Sequence, residues 1–295
     1  MDLISEIKQS FKHGNMLTKL IYANVFVFLF IKIVEVISLL SQSDFATPLV
    51  STLSVPSPIT SLPLHFWTPF TYMFLHKDFL HILFNLLWLY WIGLIFVDFL
   101  NEKRFLAVYI FGGLSGAVLY ILAFNTIPVF QQSPGFLLGA SASVMAVVFA
   151  ITMYVPEYTL YLVLIGPVKL KWLALVLIII DIIMLTDGNP GGHIAHLGGA
   201  MYGMYWGYRL KNGKDITKWL TGGNLFKIFE PKLKVKLHYT NNTSSYSPNY
   251  SQQKPQSNDV DQKVIDSILD KIAKSGYESL TSSEKEQLFK ASNKK

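Results

Sequence analysis

Two stretches of this 295-residue sequence pair a hydroxyl nucleophile with a base. Gly139-Ala140-Ser141-Ala142-Ser143 opens one apolar run, and about 55 residues later Ala195-His196-Leu197-Gly198-Gly199 lies in another. A serine hydroxyl is a weak nucleophile until a neighbouring base takes its proton, so Ser141 and His196 supply the minimum for covalent attack on a carbonyl. At the start of a helix, Ser141 would sit beside unpaired backbone N–H groups and the positive dipole end, both of which favour the oxyanion formed on attack. Gly139 would let a substrate carbonyl approach the backbone closely. His81 and Asn85, four apart on a third apolar run, share a helix face and offer further hydrogen bonds to that oxyanion. Each piece also has a plain packing explanation, since small residues line close helix contacts and a lone histidine can bond between helices.

Placing these groups is a matter for the membrane. Hydrophobic residues make up 51% of the chain and charged ones 15%, with a mean hydropathy of +0.37, an apolar balance that a water-soluble domain could not bury. Six apolar runs are long enough to cross a bilayer, near Leu20 to Leu40, Leu80 to Leu100, Phe105 to Phe124, Gly139 to Val155, Leu170 to Leu185 and His193 to Leu210. Lys and Arg fall on alternate connections: Lys8, Lys12 and Lys19; Lys103 and Arg104; Lys169 and Lys171; Arg209, Lys211 and Lys214, with Lys77 the exception. The positive-inside rule then puts both termini in the cytoplasm and the starts of spans two, four and six at the outer face. Those starts carry His81 and Asn85, Ser141, and His196, so the chemistry converges at one depth. Gly199, Gly203 and Gly207 form a stripe along span six that would admit another helix at close range.

Several classes are excluded. The net charge of +6 is spread through short flanks and forms no basic stripe with interleaved aromatics, which argues against nucleic acid. Cysteine is absent, so disulfides, thiolate nucleophiles and Cys-rich zinc sites are ruled out. His76, His81, His193 and His196, with Asp78, could suggest zinc, but the five-residue step from His76 to His81 does not place both on one helical face, Asp78 falls between them in the loop and soft ligands are absent, so no metal is expected. His76 and His193 are expected to fasten their loops by hydrogen bonds. Asp181, in span five near its outer end, is an ionisable group in an apolar run and is expected to be neutral or water-exposed. Gly112, Gly113 and Gly116 read as helix packing.

The connections and tail divide the chain further. Residues 1–17 form a polar cytoplasmic segment without a cleavage site, so the first span is expected to be retained. The long outer loop from Ser41 to Lys77 centres on His65-Phe66-Trp67-Thr68-Pro69-Phe70, aromatics suited to the membrane interface. Tyr158 to Val168 reads as an extended cytoplasmic connection. Beyond the bundle of 18–210, residues 211–259 comprise a basic juxtamembrane segment, Lys211 to Leu237, and a disordered linker, His238 to Asp259. Asn241-Asn242-Thr243 in that linker matches a glycosylation acceptor on the wrong side of the membrane. Residues 260–295 show Val264, Ile265, Ile268, Leu269 and Ile272 on one face, a break at Gly276, and a second short helix: a small helical hairpin.

His81-Ile82-Leu83-Phe84-Asn85, Gly139-Ala140-Ser141 and Ala195-His196-Leu197-Gly198-Gly199, in this order and on six spans, resemble the rhomboid intramembrane serine proteases of bacterial type. The resemblance covers roughly Asn15 to Leu210. It implies an all-α six-span bundle, Ser141 as nucleophile and His196 as general base, with His81, Asn85 and the Ser141 backbone N–H, beside Gly139, around the oxyanion. It implies no carboxylate as third member and no cofactor. It also implies an endopeptidase in the bacterial inner membrane acting on transmembrane segments of membrane-anchored proteins near the outer face, or else a silent relative that binds such clients. The chain departs from the pattern at Ala142, where Gly is common, and at Met145, where an aromatic often stacks on the base. It departs again at Trp67-Thr68, where Trp-Arg is common. The oligomeric state is not legible in the sequence.

Overall fold

The computed structural model describes residues 3–132, 134–162, 165–186, 188–218, 262–275 and 277–292. Its elements are almost all helical: α1 (Leu3–His13), α2 (Met16–Leu40), α3 (Ala46–Leu53), α4 (Thr68–Thr71), α5 (Phe79–Leu100), α6 (Glu102–Thr126), α7 (Pro128–Gln131), α8 (Ser141–Tyr154), α9 (Leu170–Ile183) and α10 (Pro190–Lys211) form the first compact unit. Helices α2, α5, α6, α8, α9 and α10 coincide with the six expected spans to within a turn. Three of them, α2, α5 and α6, are long and apolar enough to cross a membrane on their own. The 14 residues of α8 rise only about 21 Å, short of the about 30 Å hydrocarbon core, which is tolerable because neighbouring helices surround it.

Local sequence sets the helix starts. Asn15, Asp78, Asn101 and Asn189 are N-caps whose side chains accept from the backbone N–H of Thr18, His81, Arg104 and Gly192, satisfying donors that would otherwise be orphaned in lipid. Pro190 at the first position of α10 is pre-set for a helix. By contrast, Ala140 at the start of α8 provides no side-chain cap.

Helix α8 is the centre of the bundle, with every residue from Ala142 to Thr152 buried. The stripe on α10 explains how it gets so close. A Cβ on Gly199, Gly203 or Gly207 would lie 2.0, 2.2 or 2.5 Å from the carbonyl oxygens of Ala142, Ala146 and Ala150, so only glycine permits this seam. On the α6 side Gly112 and Gly116 do the same, their missing Cβ atoms 2.0 and 2.6 Å from the Cβ of Ala146 and Ala142. At the far end of the seam, buried Trp206 stacks on Phe96 and donates to Thr217, while Arg104 pairs with Asp215 at 2.8 Å.

The connections are more ordered than their composition suggests. The loop after α2 folds into α3, α4 and 3-10 turns, and its strand β1 (Val55–Pro56) pairs antiparallel with β2 (Phe136–Leu137), register Val55 to Leu137. Thr68 is buried and donates to His65 O, while Trp67 donates to Thr52 O, so the loop is anchored internally without the arginine. Phe66, Phe70 and Leu64 are exposed, as an interfacial segment requires. The extended connection after α8 is an antiparallel hairpin, β3 (Thr159–Leu162) with β4 (Gly166–Lys169). Lys169 and Lys171 both donate to exposed Glu157 at its base, and these bonds pull that carboxyl down to about 2.

The second unit contains α11 (Gln262–Ser275) and α12 (Ser282–Ser292), closed over Ile268 and Leu280. Thr281 and Glu284 form a reciprocal capping box: Glu284 accepts from the Thr281 N–H at 2.7 Å and its own N–H donates to Thr281 Oγ1 at 3.4 Å. The Thr281 N–H and Lys271 together hold the Glu284 carboxyl at about 2. The basic stretch beyond Lys218, the linker His238 to Asp259 with Asn241-Asn242-Thr243, and Gly276 lie outside the described residues.

Candidate active site

Ser141 is the first residue of α8, and the seam with α10 brings His196 to it: His196 Nε2 lies 2.6 Å from Ser141 Oγ. The turn that delivers Ser141 is fixed from two sides. The N–H of Gly139 donates to Tyr72 O at 2.9 Å, and β2 just before it is paired with β1 of the outer loop. Gly139 has φ +129°, a conformation that disfavours any side chain. A Cβ on Gly139 would come within 3.0 Å of His81 Nε2 and 3.6 Å of Ser141 Oγ, so the absence of a side chain lets the backbone here lie close to both groups.

His81 takes a defined tautomer. Its Nδ1 accepts from the Lys77 N–H at 3.4 Å, which in the neutral ring leaves the hydrogen on Nε2, beside Gly139. Asn85, one turn along α5 and mostly buried, donates one amide hydrogen to the His81 carbonyl at 2.8 Å. Ser141, His196, His81, Asn85 and Met145 all line one cleft of about 390 Å³, walled by apolar side chains including Phe84 and Trp88 of α5 and Leu177 and Ile180 of α9. No side chain caps α8, which leaves first-turn amides without that partner at the end of the helix where Ser141 sits. The site residues expected from the sequence are thus brought together.

Two expectations need correcting. Asp181 is neither exposed nor isolated: it is 5% exposed, and its Oδ1 accepts from His196 Nδ1 at 2.7 Å and His193 Nδ1 at 2.8 Å. The face of α9 that carries Leu170, Ala174 and Asp181 is the one turned inward. His193 does make a hydrogen bond, but to this carboxylate. His76 makes none to fasten its loop: it is buried, neither ring nitrogen has a partner among the described residues, and it packs edge-on against His81 at 5.1 Å. Asp181, His193 and His196 together are also the donor group a divalent ion would need, with one oxygen and two nitrogens within 4.8 Å of one another. It shares His193 and His196 with the residues considered from the sequence and has Asp181 in place of Asp78. Both nitrogens already have the carboxylate oxygen as hydrogen-bond partner, so the cluster is satisfied as it stands.

A rhomboid domain model matches residues 63–212, just over half of the 295, and spans every group in the cleft. The chain belongs to the rhomboid family. Among curated relatives of this rhomboid are RHOMBOID-like protein 12, mitochondrial, from Arabidopsis thaliana, 32% identical over 162 residues. Another is Presenilin-associated rhomboid-like protein A, mitochondrial, from Danio rerio, 32% identical over 140 residues. The matches cover 50% and 45% of this chain but only 47% and 34% of those proteins, so the rhomboid spans half or less of the curated relatives it matches. A second model, a family of unknown function (DUF6576), matches residues 249–294 and takes in α11 and α12.

Proposed function

We propose that this rhomboid is an intramembrane serine endopeptidase that cleaves transmembrane segments of membrane-anchored proteins through an acyl-enzyme. The observation that carries the reading is the 2.6 Å contact between Ser141 Oγ and His196 Nε2, in a cleft with apolar walls. Ser141 Oγ attacks the scissile carbonyl carbon and passes its proton to His196 Nε2. The oxyanion forms in the cleft beside Gly139, where His81 Nε2–H, an Asn85 amide hydrogen and the Ser141 backbone N–H donate to it. His196 then gives the proton to the departing amine, and a water entering from the polar end reverses the sequence to release the acyl group. Substrates would need small or helix-breaking residues at the cut, because a peptide bond must leave helical geometry to reach Ser141. Met145 lines the cleft, and we assign it the place that an aromatic often takes beside the base. From the distribution of Lys and Arg we place both termini on the cytoplasmic side, and from the resemblance of its motifs to the bacterial type we place the protein in the bacterial inner membrane.

The test is reconstitution with a fluorescent transmembrane substrate. Cleavage is expected from the wild type and lost, by at least about 10³-fold, in Ser141→Ala and His196→Ala. A fluorophosphonate should label the wild type and neither variant. Cleavage undiminished in Ser141→Ala would remove the assignment, and an inert wild type that still captures transmembrane peptides would make the protein a client-binding relative.

A further inference from the structure

Asp181 sits where a carboxylate is expensive. It is buried in an apolar helix, two residues from the C-terminal end of α9, so the negative end of that helix dipole opposes its charge. Its Oδ1 nevertheless has two partners, the Nδ1 atoms of His193 and His196. A carboxylate only accepts, so both imidazoles must carry hydrogen on Nδ1. For His196 this has a consequence at its other nitrogen. In the neutral ring Nε2 is then bare, and the 2.6 Å contact is a hydrogen bond donated by the Ser141 hydroxyl, the arrangement a general base requires. In the opposite tautomer, Nε2–H would point at the oxygen it has to deprotonate.

We propose that Asp181 is a positioning residue for the reaction, fixing the tautomer of His196 and balancing the imidazolium that forms during attack, and that His193 in turn fixes Asp181. The inference rests on the protease reading above. Asp181 stays ionised throughout: the proton moves from Ser141 Oγ to His196 Nε2 and on to the leaving amine, while the Nδ1 hydrogen remains on His196. The groups facing this cluster are few. Helix α10 offers His193 and His196, α8 offers Ser141, and α5 offers His81, with Lys77 and Asp78 at its cap. No lysine or arginine lines the cleft, so among its lining residues Asp181 is the one anion beside a developing cation. The Asp181 bonds also tie the end of α9 to the start of α10, and a purely structural strut would make the same contacts; the test must separate the two.

The full-length protein in detergent or liposomes is assayed with one transmembrane substrate. Asp181→Asn should lower kcat by about 10²- to 10⁴-fold with KM changed by less than about threefold, while the melting temperature holds. Asp181→Ala should regain at least about tenfold on addition of formate, a detached acceptor for the His196 N–H, and not with chloride at equal ionic strength. His193→Phe, which keeps bulk without the donor, should cost about three- to tenfold in kcat, the size of one hydrogen bond. Asp181→Asn within about threefold of wild type would overturn the proposal. So would a loss accompanied by a lowered melting temperature and no response to formate, which marks a strut. Ser141→Ala, assayed alongside, distinguishes the levels: if it is inactive while Asp181→Asn is active, only the positioning role falls, and if it is active the protease reading falls with it.

Discussion

Helices α2 and α8 are both strongly apolar, yet they solve opposite problems. Helix α2 is 25 residues long and turns Phe26, Leu29, Phe30, Ile33, Val36 and Ile37 outward, while its inward contacts are confined to a few positions such as Leu17, Leu20 and the wholly buried Asn24. Helix α8 is 14 residues long and buries nearly all of them against protein. Apolar side chains on α2 need only be compatible with hydrocarbon, a fluid that takes any shape. Those on α8 meet fixed neighbours at crystal-like density, so size decides there and hydrophobicity alone does not. The proposed nucleophile sits on the second kind of helix, where a nucleophile and a base can keep their distance to within about half an ångström.

Substitutions along the two helices break or sharpen this contrast. The largest effect is expected from Gly199→Leu, whose Cβ alone would come 2.0 Å from Ala142 O. Folded yield should collapse by size-exclusion chromatography, and any protein recovered should have lost fluorophosphonate labelling. Next comes the far end of the seam. Burial works against ionisation of Asp215, but hydrogen bonds from Thr217 and Arg104 outweigh it and hold its pKa below the ordinary carboxylate value. A depressed folded pKa contributes stability above the unfolded value, about 3.9, that is lost as pH falls through the folded one. The wild-type melting temperature should therefore fall more steeply below about pH 4 than that of Asp215→Asn, and the two should be closest at the lowest pH. Parallel curves would show that the pair contributes nothing.

Ser143 provides a smaller and sharper case, two residues from the nucleophile on the same helix. Its hydroxyl is buried with no hydrogen-bond partner among the described residues. Ser143→Ala should leave cleavage intact and raise the melting temperature or leave it unchanged, since an unsatisfied hydroxyl is removed. The smallest effect belongs to α2: Phe26→Ala, at a side chain 71% exposed, should shift the melting temperature by less than about 2 °C and leave kcat unchanged. A large loss there would show that α2 meets a second protein surface and not lipid.

The same contrast governs what could be read from the sequence. Ser141, His196, His81 and Asn85 were legible because polar or small residues stand out in apolar runs and the charge pattern set their depth. The glycine stripe was legible because its period of four is a helix period. Asp181 was visible as an ionisable residue, but α9 is apolar all round, so nothing in its periodicity said which face turned inward. An apolar run has no phase when lipid and protein are equally welcoming to it. His76 was misread for a related reason: spacing locates a histidine near a helix start and says nothing of whether its nitrogens find partners. The hairpin after α8 was foreseen as extended chain, its pairing hidden because strands of four residues carry too little alternation to fix a register.

The glycines of α10 and the carbonyl oxygens of α8 keep step at intervals of four, like the teeth of two combs. Sliding one helix past the other by a single residue would drive side chains into backbone. Sliding by four would restore the mesh, but it would carry the imidazole about 6 Å from the hydroxyl. The separation of the His196 imidazole and the Ser141 hydroxyl is thus not a continuous variable that a loose bilayer could stretch: one register keeps them in hydrogen-bond contact, and the next permitted one does not.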